Sequence, residues 1–274
     1  MTSTSFIQRL RKGLKNPWIR LLLWLFVYFP VLSFIAANAT ILGFVFWPRN
    51  VADINFQSFK PEQPHVIILT HGVNDDLNTW VQPLLQIYRG KFDNTQIEGL
   101  DWSKHAQMPL RCAISGKRIG EQLGEVLATS PTLVSVQLVG HSCGAFVIYG
   151  ACQRLKQLKP QVLVQTTYLD PVSIYATQRD FGTKHFGDCA DYSEAYIDTE
   201  DNVLGSNQLL PHTHTYDVTA TRDQSHQQVA PHNWPTIYYS QLVSQDLAPQ
   251  LSLDPNLPKR KPIGVLEKVQ AADK

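Results

Sequence analysis

Leu138-Val139-Gly140-His141-Ser142-Cys143-Gly144-Ala145 decides how the rest of the chain is read. An apolar run ends in Gly-x-Ser-x-Gly, and a helix-like segment follows to about Leu158. This is the form taken by a strand that turns sharply into a helix and presents one serine hydroxyl at the top of a sheet. The glycines at 140 and 144 suit that geometry, because side chains there would crowd a turn that holds Ser142 in a strained conformation. The pattern is short, so its weight depends on partners elsewhere in the chain.

Upstream, His65-Val66-Ile67-Ile68-Leu69-Thr70 is a continuous apolar run of strand length, and His71-Gly72-Val73 follows at once. Such runs suit central strands covered on both faces. Asp75 and Asp76 read as caps for a helix with Trp80, Val81, Leu84, Leu85 and Tyr88 on one face. Further strands are expected at 96–100, 134–139, 162–169, 194–198 and 214–220. Helices are expected at 109–128 and from His232-Asn233-Trp234-Pro235 to Leu242. Gly116, Gly120 and Gly124 share a face of the first of these; simple packing is the favoured reading, and a close approach to the sheet is the alternative. Strand and helix in alternation predict an α/β domain with a mostly parallel central sheet flanked by helices, whose ligands sit at the carboxyl ends of the strands. His71-Gly72, Ser142, Asp170 and the loop to His232 all fall at such ends.

A serine hydroxyl needs a base to take its proton, an acid to orient that base, and donors for the developing oxyanion. The chain order Ser, Asp, His provides candidates. His232 precedes an aromatic-rich helix that would lock its loop. His226 lies in the polar stretch Asp223-Gln224-Ser225-His226-Gln227-Gln228 and reads as solvated, so position favours His232 as base. For the acid, Asp170 directly ends the strand after the elbow helix, while Asp198 and Asp201 follow the next strand; on the residues alone Asp170 and Asp201 stand level. The oxyanion donors are expected to be the backbone N–H groups of Val73 and Cys143. His71 is given a structural role in holding the loop beside them, and His141 packs or hydrogen-bonds beneath the elbow.

The chain's 274 residues suit one large domain with an appendage, and a net charge of +1 gives no basic excess for a nucleic-acid partner. Cys112, Cys143, Cys152 and Cys189 match no zinc spacing. Cys143 and Cys152 read as small buried side chains; a Cys112–Cys189 disulfide is compatible with a compartment outside the cytosol, but spacing does not place it. Residues 1–20 are basic and lack acids, and 21–47 carry no charge. At ~1.5 Å per residue that run gives roughly 40 Å of helix, enough to cross ~30 Å of hydrocarbon with tilt. Trp18, Trp24 and Trp47 sit where aromatic belts form, Pro30 invites a kink, and the preceding positive charges place the amino terminus in the cytoplasm and the remainder outside. Ala37-Asn38-Ala39 resembles a signal-peptidase site, so cleavage is the competing reading, opposed by the apolar run from Ile41 to Trp47. The expected organisation is a cytoplasmic stretch 1–20, a membrane anchor 21–47, a tether 48–64, a catalytic domain 65–247 and a flexible tail 248–274.

Taken together, these residues resemble the pancreatic-lipase-like branch of the α/β hydrolases. The matching stretches are Thr70-His71-Gly72-Val73 with Trp80, Leu100-Asp101-Trp102-Ser103, Val139-Gly140-His141-Ser142-Cys143-Gly144-Ala145, Leu169-Asp170-Pro171-Val172, and His232 with Tyr238-Tyr239. The resemblance implies an α/β-hydrolase fold, with Ser142 as nucleophile, His232 as base and Asp170, in the Leu-Asp-Pro stretch, as the acid. It also implies hydrolysis of carboxylic esters, with small-molecule or acyl-lipid substrates and neither cofactor nor metal. The chain departs from that branch in having no stretch that fits a carboxy-terminal β-sandwich, a disulfide-bounded lid or a calcium site; residues 173–210 are the segment expected over the site. An amidase or peptidase using the same three residues, or a non-catalytic anchored binding module on the same fold, are the rival readings. The oligomeric state is not indicated.

Overall fold

A computed structural model describes residues 16–47, 50–222, 224–254, 256–257 and 263–270. The basic residues before 16, as well as Pro48, Arg49 and Asp223, lie outside the described residues. The chain divides between Pro48 and Arg49 into two units.

In the first unit, Pro17–Phe46 forms a 30-residue helix long and apolar enough to cross a membrane. The Asn16 side chain accepts from Trp18 N–H at its start. The residue type that invites a kink has a local effect: a π-helical turn over Trp24–Tyr28 immediately precedes Phe29 and Pro30.

The second unit is built on strands β1 (His65–Thr70), β2 (Thr95–Leu100), β3 (Ser135–His141), β4 (Leu163–Leu169), β5 (Tyr192–Ile197), β6 (His214–Asp217) and β7 (Leu266–Lys268). They form one sheet in the order β2-β1-β3-β4-β5-β6-β7, and every pairing is parallel. Thr70 pairs with Gly140, Gly140 with Tyr168, Tyr168 with Ala195, and Ala195 with Thr215. The loops that follow these strands therefore leave along one edge. Helices α1 (Val81–Arg89) and α4 (Trp234–Ser244) cover one face; α2 (Pro109–Leu127) and α3 (Gly144–Leu158) cover the other. Alternation along β1 supplies both cores, Val66 and Ile68 facing α2 and α3, Ile67 and Leu69 facing α1 and α4.

Two expectations are corrected, and two open points are resolved. Part of the 248–274 stretch joins the sheet as β7, paired to β6, and the Gln165 side chain binds Pro249 O and Leu251 N. The 48–64 tether is partly packed, with Val51 and Phe59 buried in the α2–α3 core. Gly120 and Gly124 of α2 face α3 rather than the sheet, since a Cβ at either would meet the backbone of 147–155. The cysteines, whose pairing the spacing leaves open, pair as Cys112–Cys143 and Cys152–Cys189, each with Cα atoms 6.0 Å apart. The first joins the opening turn of α2 to the residue after Ser142; the second joins α3 to the approach of β5. For sequence separations of 31 and 37, loop-closure entropy alone makes each worth about 3–4 kcal/mol.

Helix α4 is docked by a buried polar chain. Tyr239 and Tyr88 hydroxyls bond at 3.0 Å, and Gln137 donates to Tyr239 at 2.9 Å. Nearby, Glu194 accepts from Thr167 at 2.9 Å and Tyr196 at 3.0 Å, with no cation paired to it among the described residues, and burial pushes its carboxyl up to about 7.

Candidate active site

Ser142 follows the last residue of β3 with φ +54°, and its N–H donates to Leu169 O at the end of β4. A non-glycine residue in this left-handed region is strained, and such strain concentrates at functional sites. The elbow leaves no room for side chains beside it. A Cβ at Gly140 would stand 2.7 Å from Gly144 O, and one at Gly72 would stand 2.8 Å from Ser142 Cβ. Asn74, Asp170 and Ala176, with φ +54°, +42° and +53°, repeat the strain around the same edge.

The loop after β1 is fixed by the Asp101-Trp102-Ser103 stretch after β2. Trp102 donates its indole N–H to His71 O at 2.9 Å, and Asn74 N–H donates to Ala106 O at 3.0 Å. His71 Nδ1–H donates to Gly72 O at 2.9 Å; its Nε2 accepts from Trp102 N–H at 3.2 Å and stands 3.2 Å from Asp101 Oδ1. The structural role expected of His71 thus acquires a direction. Holding the Gly72 carbonyl on one side turns the Val73 N–H of the same trans peptide to the other. Among the described residues, neither Val73 N–H nor Cys143 N–H donates to a protein acceptor.

His232 lies in a short 3₁₀ turn, Pro231–Asn233, at the mouth of α4. Trp234, fully buried, anchors that turn by donating its indole N–H to Val218 O and Thr221 Oγ1. His141 Nε2–H donates to His232 O at 2.9 Å, and the two rings lie 4.8 Å apart. Burial drives His141 down to about 3, with the neighbouring His232 ring adding to the effect, so His141 is a neutral prop. His226 packs against Trp234, the rings 4.9 Å apart and tilted by 48°, outside the lining of the cavity that Ser142 and His232 share.

Both candidate acids reach the same nitrogen. His232 Nδ1 is 3.2 Å from Asp170 Oδ2 and 2.9 Å from Asp201 Oδ2. Asp170 is fully buried; burial pushes its carboxyl up to about 7 against the pull of His232, and Asp201 beside it raises it further. Burial also acts to raise Asp201, but the Ser206 hydroxyl, the Val203 N–H at 3.1 Å and the His232 ring outweigh it and hold that carboxyl below its ordinary value. Burial acts to lower the His232 imidazolium, and the two carboxylates, Asp170 foremost, outweigh it and raise it. A carboxylate oxygen of Asp170, one of Asp201 and a ring nitrogen of His232 lie within 4.8 Å of one another. Ser206, which has no place in any motif, is a site residue that sequence reasoning missed; only its spacing of five from Asp201 on a loop hinted at it.

Ser142, His232, Val73 and Cys143 all line one cavity of about 670 Å³. Its walls are mainly apolar, with Trp80, Leu110, Val172, Ile174, Leu204 and Ile237 around the serine. Residues 173–210 contribute Ile174, Ala176, Val203 and Leu204 to the wall. No hydrogen bond joins Ser142 Oγ to His232 in this structure. A parallel sheet, a strained serine between β3 and α3, and an acid and a histidine following later strands decide the architecture. This is the α/β-hydrolase fold.

No family model and no curated protein matches the chain. Solved structures with this fold do. An α/β-hydrolase-superfamily protein from Xanthomonas campestris pv. campestris is 15% identical, covering 67% of this chain and 98% of its own, with a TM-score of 0.44. A Trichoderma reesei cutinase bound to a phosphonate inhibitor is 15% identical over 68% of this chain and 75% of its own, TM-score 0.33. Aspergillus fumigatus lipase B is 10% identical over 70% and 58%, TM-score 0.33.

Proposed function

We propose that the protein is a serine hydrolase that cleaves carboxylic esters with an apolar acyl group. The observation that carries this reading is the strained Ser142 opening into an apolar cavity that also receives His232, whose far nitrogen is engaged by carboxylates. Ser142 Oγ attacks the ester carbonyl carbon while its proton passes to His232 Nε2. Asp170 and Asp201 together orient the ring, and the negative charge the pair carries balances the new imidazolium. The tetrahedral oxyanion takes the N–H groups of Val73 and Cys143, two backbone donors on the cavity that have no protein acceptor among the described residues. Collapse releases the alcohol with the proton from His232 and leaves an acyl-serine, which water attacks through the same base. The Ser142–His232 hydrogen bond this requires forms as substrate binds; such bonds are commonly long before then. The wall of Trp80, Leu110, Ile174, Leu204 and Ile237 supports an acyl chain over a polar one.

A fluorophosphonate probe added to the folded protein is expected to label Ser142, located by peptide mass. Labelling elsewhere, or none, would overturn the assignment and revive a non-catalytic binding module. Comparing matched ester and anilide substrates separates an esterase from an amidase.

In the same reading the Pro17–Phe46 helix anchors the protein in a membrane with the hydrolase unit on the extracytoplasmic side. The basic flank before the helix and two disulfides, which persist in oxidising compartments, support this. Protease added to intact cells or spheroplasts is expected to digest the 50–274 part. Protection until lysis would reverse the topology.

A further inference from the structure

Two carboxylates stand where one is needed. His232 Nδ1 carries a single N–H, yet Asp201 Oδ2 lies 2.9 Å from it and Asp170 Oδ2 3.2 Å. One oxygen of each acid and a ring nitrogen of His232 lie within 4.8 Å of one another, and both acids are buried. Resting on the serine-hydrolase reading above, we propose that Asp170 and Asp201 hold one proton between them, Asp170 as the neutral acid and Asp201 as the carboxylate that faces His232.

The surroundings differ in the way this division requires. Asp201 receives two donors besides the histidine, the Ser206 hydroxyl and the Val203 N–H. Donors to a carboxylate favour its charged form. Asp170 has none to spare: its Oδ1 is buried without a hydrogen-bond partner among the described residues. Among the described residues no lysine or arginine pairs with either acid to offset a second negative charge. Arg222, the cation on the neighbouring loops, is engaged with Asp198 and Glu200. His141, the other titratable ring against His232, is neutral because of its burial and donates to a backbone carbonyl. Two like charges so close in a buried site do not both persist, and the proton settles where solvation of the charge is poorer. The pair then presents a net charge of −1 to the imidazolium that forms when Ser142 gives up its proton. Asp170 and Asp201 are positioning residues, acting through His232.

The division is fixed by geometry, and it predicts which acid tolerates loss of charge. Asparagine mimics a protonated aspartic acid. Asp170→Asn should therefore lower kcat for a short-chain ester by about threefold to tenfold, by the same factor across the pH range. Asp201→Asn should fall by at least about 100-fold at mildly acid pH, because Asp170 must then ionise in a site without donors. Rising pH removes the Asp170 proton, so this variant should recover towards wild type on the alkaline side. The double variant should lose about 10⁴-fold with no recovery, the cost of removing the only carboxylate behind a catalytic histidine. KM should change little in all three.

An infrared readout is independent of turnover. At mildly acid pH, in a Glu194→Gln background that removes the other raised carboxyl, the protonated-carboxyl C=O band should vanish with Asp170→Asn and persist with Asp201→Asn. If Asp170→Asn alone loses about 10⁴-fold while Asp201→Asn is unaffected, the strand-end acid acts alone and the sharing is refuted. If Asp201→Asn alone loses that much with no alkaline recovery, sharing is refuted in the other direction. Fluorophosphonate labelling of the wild-type protein separates these failures from failure of the hydrolase reading, which would leave Ser142 unlabelled whatever the acids do.

Discussion

Ser142→Ala is expected to lower kcat for short-chain p-nitrophenyl esters by about five to six orders of magnitude, with KM nearly unchanged. The size follows from what the hydroxyl does. Without Oγ there is no acyl-enzyme, and only binding and the oxyanion donors remain, which leave a residual acceleration of about 10³–10⁴ over water. The fold should be little affected, because the alanine keeps Cβ and only a hydroxyl at the cavity wall is lost; the φ of +54° is strained for either residue. His232→Ala should lose about as much, and the Ser142/His232 double variant should lose no more than about tenfold further, since residues acting as one unit are strongly non-additive. His226→Ala, outside the cavity and packed against Trp234, should stay within a few-fold of wild type. Steady-state kinetics on the purified proteins decides the matter. Equal rates for wild type and Ser142→Ala would remove the serine from the chemistry, and a large loss in His226→Ala with His232→Ala intact would move the base.

Ser142 is legible in sequence because its geometry imposes demands that only certain residues meet. Gly140, Gly144 and Gly72 are each required by atoms under 3 Å from a would-be Cβ, and an apolar strand precedes the turn. His232 is legible through Trp234, whose burial makes its loop rigid. The acid is ambiguous for a structural reason. β4 and β5 are neighbours, Leu169 pairing with Tyr196, so the loops after both strands open beside the same histidine. No one-dimensional pattern ranks two loops that converge. The disulfides were illegible because pairing depends on where the first turn of α2 meets the elbow, a contact between segments 31 residues apart. β7 has three residues, too few to show alternation, and its pairing to β6 depends on the path of the preceding chain. The glycines of α2 announced a close approach but not its target, since a flat glycine face suits a helix as well as a sheet.

That target sets the second large effect. Gly120→Ala is expected to destabilise the protein by at least about 3 kcal/mol and to lower its melting temperature by about 6–12 °C. A Cβ at Gly120 would lie 1.9 Å from Val147 O, 2.8 Å from Val147 C and 2.9 Å from Ala151 N. All three are backbone atoms of α3, so no side-chain rotation relieves the clash and the two helices must move apart. The movement is resisted on both sides of the contact. Gly124 meets Ala151 O at 2.7 Å and Gly150 meets Lys117 O at 2.3 Å in the same sense, so separation at Gly120 opens a seam packed at backbone distance. The intrinsic gain of about 1 kcal/mol for alanine over glycine in a helix is too small to offset this. Gly90→Ala makes the control: its φ is −77° and its would-be Cβ meets nothing closer than 3.6 Å, so its melting point should stay within about 2 °C of wild type. Gly120→Ala should also reduce turnover in the fraction that remains folded. α3 begins at the elbow that carries Ser142, and α2 begins with Pro109, Leu110 and Cys112 on the cavity wall, Cys112 being bonded to Cys143, whose N–H is a proposed oxyanion donor. A melting point for Gly120→Ala within about 2 °C of wild type would show that the helices do not meet at backbone distance, and with it the way α2 holds the catalytic turn would have to be abandoned.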